Sequence, residues 1–491
     1  MPVDFLKENL EFLDRQKLME PSVNRQVDFD FQGLRRSFKE DPGHPDSKSV
    51  AAFGRIWIYD AALSIYADLK AGRIRSAGYQ AGRVMQLALQ EKAKGFLGLW
   101  HFSYNTRGDS FIDPRGPTGA NCWCLNALYS YALAHDAALC AEARGGASSS
   151  AGLIAWANRA VEEFLFAQQV MDPRDPRYGL IRAGLHNADE VKNGESMGYR
   201  VYEGDRNCPY EHVILEHCID AAGTFRLADR ATRKLLVPGT AVPDPGVPGT
   251  NGVSKFLAEL IRRHDLLMQG ARRCFWQKDH FISALDPRGI PYTGTDGLPS
   301  VAVDNNTWAA QVFLPYDLET ARMAARYVEE HFLVRVPLAQ VEDAARLPAP
   351  DGMEGLYYFR STFVDPFVQV PPEYRAKMER LFQPEAALGF VLFLVALARQ
   401  TPDPAEKSRL EARARELYEH TVNLLGLYGS GGAPYASANV PMVFSTLSSI
   451  TTASSCVITS AILQGASADD FIGVLPPKEF TVAGKPPLHG V

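Results

Sequence analysis

The feature that most restricts what this chain can become is a set of six segments that are apolar nearly all the way round. They are Trp57–Lys70, Asn121–His135, Glu216–Leu227, Asn305–Leu314, Glu385–Arg399 and Leu447–Leu463. A helix with no polar face is buried on every side. Between them lie segments with a single apolar stripe. In Ala405–Leu424, for example, Leu410, Ala414, Leu417, Thr421 and Leu424 recur at steps of three and four, while Lys407, Arg409, Glu411, Arg413 and Glu416 cover the rest. Tyr79–Lys92, Leu153–Val170, Lys255–Cys274, Glu319–Phe332 and the N-terminal Phe5–Leu18 are of the same kind. Such helices belong on a surface. Strict alternation of the two kinds predicts an all-α toroid of the (α/α)6 type, six inner helices ringed by six outer ones, with the N-terminal helix closing the outer ring. At 491 residues the chain exceeds a common domain length, yet no shift in composition divides it. The expectation is one toroid over residues 1–491, with about 1–50 as closing helix and lead-in and about 466–491 as a tail.

Connection lengths assign a working face. Links from an inner to the next outer helix are short at Ala71–Gly78, Pro315–Leu318 and Gln400–Pro404, with the Pro- and Gly-rich Ala231–Ser254 as the exception. Links from an outer to the next inner helix are long: roughly Gly95–Ala120, Met171–Leu215, Phe275–Asp304, Leu333–Pro384 and Gly426–Thr446. Long loops in a compact fold usually carry function. These would gather at the N-termini of the inner helices, whose partial positive charge suits anionic and hydroxylated groups.

Acidic residues recur at the first turns of those helices: Asp60, Glu216, Asp220, Asp304 and Glu385. Glu216 and Asp220, four apart, share a helix face. Aromatics interleave with them: Trp57, Tyr59, Trp100, Phe102, Tyr104, Trp123, Tyr210, Trp308, Tyr357, Tyr358 and Tyr435. Rings stack on the apolar faces of pyranoses and carboxylates bind their hydroxyls, so the pattern suits a sugar site. Glycoside hydrolysis needs two carboxyl groups flanking one bond, one of them with a raised pKa as the acid. Each residue also has a plainer role open to it: Asp304 can cap its helix, Glu385 can serve the helix dipole, Glu216 can pair with an arginine, and each aromatic can be core.

Other classes fit less well. A net charge of −6 with no basic cluster argues against nucleic acid or an acidic membrane surface as partner. The apolar run Ala386–Ala398 is shorter than the ~20 residues that span a bilayer. Seven irregularly spaced cysteines and an acidic, amphipathic N-terminus favour reduced thiols and a cytoplasmic location. No cofactor is expected: there is no P-loop lysine motif, and Gly429, Gly431 and Gly432 lack a strand–helix setting. No metal is expected either, since HEXXH and CxxC pairs are absent, and His212 and His217 sit about 140° apart around a helix. Cys122 and Cys124, flanking Trp123, read as structural. Self-association is left open.

Several segments together resemble bacterial proteins of the six-hairpin glycosidase superfamily: WIYDAALSIYADLKAGR (57–73), TGANCWCLNALYSYA (118–132), YEHVILEHCIDAAGTFRLA (210–228), DNNTWAAQVFL (304–314), QPEAALGFVLFLVALA (383–398) and GGAPYASAN (431–439). The resemblance implies a toroid whose central cleft binds or cleaves a saccharide, with Asp60, Asn121, Glu216, His217, Asp220, Asp304 and Glu385 lining it. Such proteins often carry an aromatic and Glu-Gly before the fifth inner helix, where this chain has Gln383-Pro384-Glu385-Ala386. The leading expectation is a glycoside hydrolase acting on an oligo- or polysaccharide. Glu216 would be the general acid and Asp304 or Asp60 the base. Trp57, Tyr59, Trp100, Asn121, Trp123, His217, Asp220, Trp308, Glu385 and Tyr435 would bind substrate. A sugar epimerase, isomerase or lyase is the alternative, with His217 or His101 transferring the proton. A non-catalytic saccharide-binding scaffold is the third reading.

Overall fold

A computed structural model describes residues 3–25, 27–41, 43–44, 54–106, 111–113, 115–134, 149–186, 207–236, 251–294, 297–335, 354–356, 359–360, 381–426, 432–436 and 447–466. The expected tail beyond residue 466, Tyr357, Tyr358, Gly429 and Gly431 lie outside them.

The helices alternate as the hydropathy predicts. The inner ones are α2 (Ile58–Lys70), α4 (Thr118–Ala134), α6 (Leu215–Leu236), α8 (Val303–Phe313), α10 (Pro384–Gln400) and α12 (Ile450–Leu463). The outer ones are α1 (Val3–Arg15), α3 (Ile74–Ala93), α5 (Ser150–Ala160, running through a π turn at Val161–Leu165 into Phe166–Gln168), α7 (Asn251–Phe275), α9 (Leu318–His331) and α11 (Pro404–Gly426). Each inner helix packs on the next, and α12 packs back on α2, so the inner ring closes. Outer helices bridge neighbouring inner ones: α3 touches α2 and α4, α5 touches α4 and α6, and α9 touches α8 and α10. The N-terminal α1 packs on α12, as a closing helix should. The protein is therefore an (α/α)6 toroid.

Burial follows the same division. Every residue of α4 from Thr118 to Ala132 is buried, and in α10 the run Pro384–Leu394 is buried. Several boundaries differ from the sequence reading, among them the start of α3 at Ile74 rather than Tyr79 and of α4 at Thr118 rather than Asn121. The helix expected to end at Leu227 continues to Leu236, and the helix expected from Leu447 begins at Ile450 after a Ser449 cap that accepts from the Thr452 N–H at 3.2 Å. A side-chain cap is a polar, non-apolar signal, so apolar periodicity alone misplaces such a start.

Sequence identity between the hairpins is weak, but their backbone hydrogen bonds repeat. The first N–H of an inner helix donates to a loop residue of the following hairpin, whose own N–H donates to the strand or loop leading into that hairpin's inner helix. Ile450 donates to Ser37 and Ser37 to Arg55, at 2.8 and 2.9 Å. Ile58 to Phe102 and Phe102 to Arg115 follow at 3.0 and 2.6 Å. Thr118 to Ala183 and Ala183 to His212 are both 2.9 Å, and Leu215 to Ser283 and Ser283 to Ser300 are 2.9 and 2.8 Å. Short antiparallel pairs reinforce the rim, among them Arg55–Trp57 with Ser103–Asn105 and Val213–Ile214 with Ala284–Leu285. These bonds satisfy helix-start N–H groups that would otherwise be orphaned in a buried setting. They also hold the inner-helix N-termini at one level around a common mouth.

Candidate active site

The site follows from where an inner helix points its second and sixth residues, which lie four apart on one face. The second residues of α2, α4, α6, α8, α10 and α12 are Tyr59, Gly119, Glu216, Asp304, Glu385 and Thr451. Contacts between non-adjacent helices show that this face is the lumen. The Tyr59 hydroxyl on α2 donates a short hydrogen bond to Glu385 Oε1 on α10. One turn deeper, Trp123 on α4 and Trp308 on α8 have ring centroids 5.6 Å apart, and Tyr59 and Tyr66 stand edge-on to Trp123 at 5.2 and 6.1 Å. The sixth residue of α6 is Asp220 and that of α10 is Gly389. The result is a carboxyl-rich rim above a floor of aromatic rings.

The two glycines let side chains of neighbouring inner helices approach closely. A Cβ on Gly119 would sit 2.6 Å from His217 Cδ2 and 2.9 Å from Asp220 Oδ2. A Cβ on Gly389 would sit 2.9 Å from the Trp308 indole nitrogen.

Glu385 is held on both oxygens. Tyr59 binds one, and Gln383 Nε2 donates to the other at 3.0 Å. The same Gln383 caps α10, its Oε1 accepting from the Ala386 N–H at 2.8 Å, with Pro384 pre-set at the first helical position. The Gln383-Pro384-Glu385 sequence is thus a cap that also aims a carboxyl. Burial lifts Glu385 to a pKa of about 7, helped by the charges of Asp60 and Asp304 and opposed by its two hydrogen bonds. Asp60, the third residue of α2, accepts a short hydrogen bond from Thr451 and another from Ser37. Burial nevertheless raises it to about 7. Two carboxyls in one mouth therefore exchange protons near neutrality.

Asp220 is 1% exposed. Burial first and the Asp304 charge second push its pKa well up, against a hydrogen bond from the Trp123 indole. His217 is part-exposed beside it; burial and the Arg115 charge hold it down at about 4, so it is neutral at pH 7. Tyr435, reached from the loop before α12, is the hub of the rim. Its hydroxyl lies in the fields of Glu385, Asp60, Glu216 and Asp304, which with burial raise its pKa far above normal. Glu216 is part-exposed, and its charge also reaches the Tyr59 hydroxyl.

Asp304 does not cap its helix. The cap position is Ala302, with no side-chain cap bond, and Asp304 is a buried first-turn residue inside α8. Trp57 lies on the lead-in strand with Phe102 edge-on at 4.4 Å and the Arg55 guanidinium 4.7 Å over its ring.

Three sequence expectations are corrected. Trp100 is fully buried and its indole N–H donates to the Val84 carbonyl at 2.8 Å, so it is core. Asn121 is spent on the backbone, accepting from Trp100 N–H at 3.0 Å and donating to the Trp100 and Pro117 carbonyls at 3.2 and 2.8 Å. Asn306 repeats that brace on Phe281 and Ala302. His101 is fully buried, stacked on Phe96 at 3.9 Å, with its Nε2 3.5 Å from Glu91, and cannot serve as a proton shuttle. Ser37, Thr451 and Gly119 escaped the sequence reading, because each acts through a partner distant in sequence, whereas Gln383 acts on Glu385 and Ala386 close by. The N-cap position of Gln383 was the one local signal.

Among the described residues, no group of three or more His, Cys, Asp or Glu side chains is placed to hold a metal ion. No described helix is long and apolar enough to cross a membrane.

No family model matches the chain, and no curated protein does. Solved structures do. A D-mannose isomerase superposes with a TM-score of 0.55 at 12% identity, covering 94% of this chain and 97% of the other. A cellobiose 2-epimerase from Bacillus thermoamylovorans B4167 gives 0.51 at 8% identity, covering 94% and 99%. A glycosidase in complex with glucose gives 0.50 at 12% identity, covering 96% and 97%. The chain shares the (α/α)6 toroid fold of these structures. At these identities the likeness is one of fold, and the chemistry has to be argued from this chain's own residues.

Proposed function

We propose that this protein is a carbohydrate-active enzyme that hydrolyses a glycosidic bond in the mouth of the toroid. The observation that carries the reading is the two-layer lumen: carboxyls from α2, α6, α8 and α10 at the rim, two of them titrating near pH 7, over the Tyr59–Trp123–Trp308 floor. Rings present apolar faces to a pyranose while carboxyls take its hydroxyls. Solved neighbours of this fold carry names of sugar-active enzymes, which supports the same substrate class.

Glu385 is the best-suited proton donor. A general acid works best with a pKa close to the operating pH, and Glu385 meets that at about 7 with both oxygens oriented. Glu216, which the sequence alone favours as acid, suits the opposite role, because its part-exposed side chain can meet water. Both glutamates act on the hydroxyls of Tyr59 and Tyr435, so they flank the same pair of phenols. In this reading Glu385 protonates the leaving oxygen while Glu216 activates water or attacks the anomeric carbon. Asp60 and Asp304 fix hydroxyls and tune the charge.

One observation favours a second reading. His217 is neutral at pH 7 and stands at the lumen against Asp220, as a base that moves a proton on an open-chain sugar would. The test is product analysis on a glycan panel with wild type, Glu385→Gln and Glu216→Gln. Hydrolysis predicts new reducing ends from wild type and a loss of roughly 10²–10⁴-fold in either variant. An epimer or ketose without new reducing ends, abolished by His217→Gln, would replace hydrolysis with isomerisation.

A further inference from the structure

Both oxygens of Glu385 already have protein partners, and the chemistry of those partners decides where its proton can sit. Gln383 Oε1 accepts from the Ala386 N–H at 2.8 Å. A backbone N–H can only donate, so the amide oxygen of Gln383 must face it and the amide nitrogen must face Glu385. That nitrogen donates to Glu385 Oε2 at 3.0 Å, and an amide NH2 accepts nothing. A proton on Oε2 would therefore point at another hydrogen. When Glu385 is protonated, its proton is on Oε1, the oxygen that the Tyr59 hydroxyl holds. A phenol both donates and accepts. It donates to the carboxylate and accepts from the carboxylic acid, and in the second state its own hydrogen is free to turn elsewhere. The charge of Glu216, on α6, also acts on that hydroxyl. The Tyr59 side chain is half-buried and stands edge-on to Trp123 of the floor at 5.2 Å. Burial and the Glu385 charge keep its pKa well above normal, so it stays a phenol at neutral pH.

We infer that Tyr59 is a catalytic residue, the group that touches the leaving oxygen, and that the proton of Glu385 reaches that oxygen through the phenol in two linked hops. The glycosidic C–O bond breaks and its electron pair passes to the leaving oxygen, which takes the Tyr59 hydrogen. Tyr59 Oη takes the hydrogen of Glu385 Oε1 in the same step. A carboxylate remains, to which Tyr59 and Gln383 both donate. The phenol carries no net charge before or after. With Glu216 activating water, the spare proton of that water ends on Glu216, and exchange with solvent returns a proton to Glu385. Gln383 is a positioning residue, because it confines the acid proton to the oxygen that Tyr59 holds. The inference rests on the hydrolase reading of the lumen and adds to it the atom that delivers the proton.

The experiment compares kcat/KM of full-length wild type, Glu385→Gln and Tyr59→Phe on methyl, phenyl, nitrophenyl and dinitrophenyl glycosides of glucose, mannose and galactose, in both anomers. A poor leaving group needs the proton, and a dinitrophenolate leaves without it. Tyr59→Phe keeps its ring on the floor. It should lose about 10²-fold or more on the methyl and phenyl substrates and less than about tenfold on the dinitrophenyl ones, in step with Glu385→Gln. Gln383→Glu keeps an oxygen for the Ala386 N–H and puts an acceptor where the donor to Oε2 was. It draws the acid proton away from Tyr59 and should show the same dependence on leaving group. Melting temperatures confirm that each variant is folded. A Tyr59→Phe loss equal on every leaving group, or no loss at all, would overturn the relay, and the hydrolase reading would stand on Glu385→Gln alone. A Gln383→Glu variant that matches wild type on every leaving group would overturn the confinement of the proton to Oε1. Cleavage of no glycoside by wild type would sink the hydrolase reading and this inference with it.

Discussion

Replacing Glu385 by glutamine should change how stability depends on pH. The folded protein holds this carboxyl at about 7 against an ordinary value of 4.5, and burial is the main cause. A carboxyl whose pKa is raised on folding binds its proton more tightly in the native state. Native stability is therefore lost as pH rises from about 4.5 through about 7, and levels off above. The shift of about 2.5 units corresponds to roughly 3 kcal/mol of destabilisation at pH 8 relative to the protonated form. Glutamine removes the charge: its Oε1 still accepts from Tyr59, while the bond that Gln383 Nε2 donates to the second carboxyl oxygen is lost. Urea unfolding of wild type and Glu385→Gln at pH 5, 6, 7 and 8 is the assay. The variant should match wild type within about 1 kcal/mol at pH 5 and exceed it by about 2–3 kcal/mol at pH 8. Parallel curves across that range would refute the reasoning, since Glu385 would then carry no burial-raised pKa.

Other perturbations separate scaffold from site. Asn121→Ala should lower stability by about 2–3 kcal/mol, because it strands the Trp100 N–H and C=O; sugar affinity in the folded fraction should be unchanged, as checked by calorimetry. Gly119→Ala should lower the melting temperature and weaken saccharide binding, since its methyl would lie 2.6 Å from His217 Cδ2 and 2.9 Å from Asp220 Oδ2 and force them aside; tight binding with a normal melting temperature would contradict that. Tyr59→Phe removes a bond that lowers the Glu385 pKa, so the alkaline limb of the kcat/KM pH profile should move upward by about half a unit to one unit. Trp123→Ala should raise KM about tenfold or more through loss of the floor, with the pH profile unmoved.

The architecture was legible because it rests on periodicity, which is local. A helix with no polar face, such as Thr118–Ala134, can only be interior, and six of them alternating with striped helices leave little but a closed double ring. The acidic positions were legible for a related reason: a carboxyl at the second residue of an apolar helix is conspicuous, as Glu216, Asp304 and Glu385 are. What escaped was the assignment of each polar or aromatic residue to lumen or brace. Asn121 and Trp123 are two residues apart on one helix, yet the first is consumed by the backbone of Trp100 and the second faces the lumen. Trp100 resembles a sugar platform in sequence, and only its bond to Val84 shows that it is core. The partners of Asp60 make the same point, since Ser37 and Thr451 lie on opposite ends of the chain and meet only because the ring closes. The hairpin repeat likewise lives in backbone bonds such as Thr118 to Ala183, which leave no mark on side-chain identity.

The central claim is that the carboxyl-lined lumen breaks a glycosidic bond, and one measurement bears on it most directly. A glycan panel is incubated with wild type, Glu385→Gln and Glu216→Gln, and new reducing ends are counted by mass spectrometry. The account predicts new reducing ends from wild type on at least one glycan, and a loss of about 10² or more in both folded variants. Unchanged turnover in both variants, or no cleavage of any glycan by wild type, would contradict it.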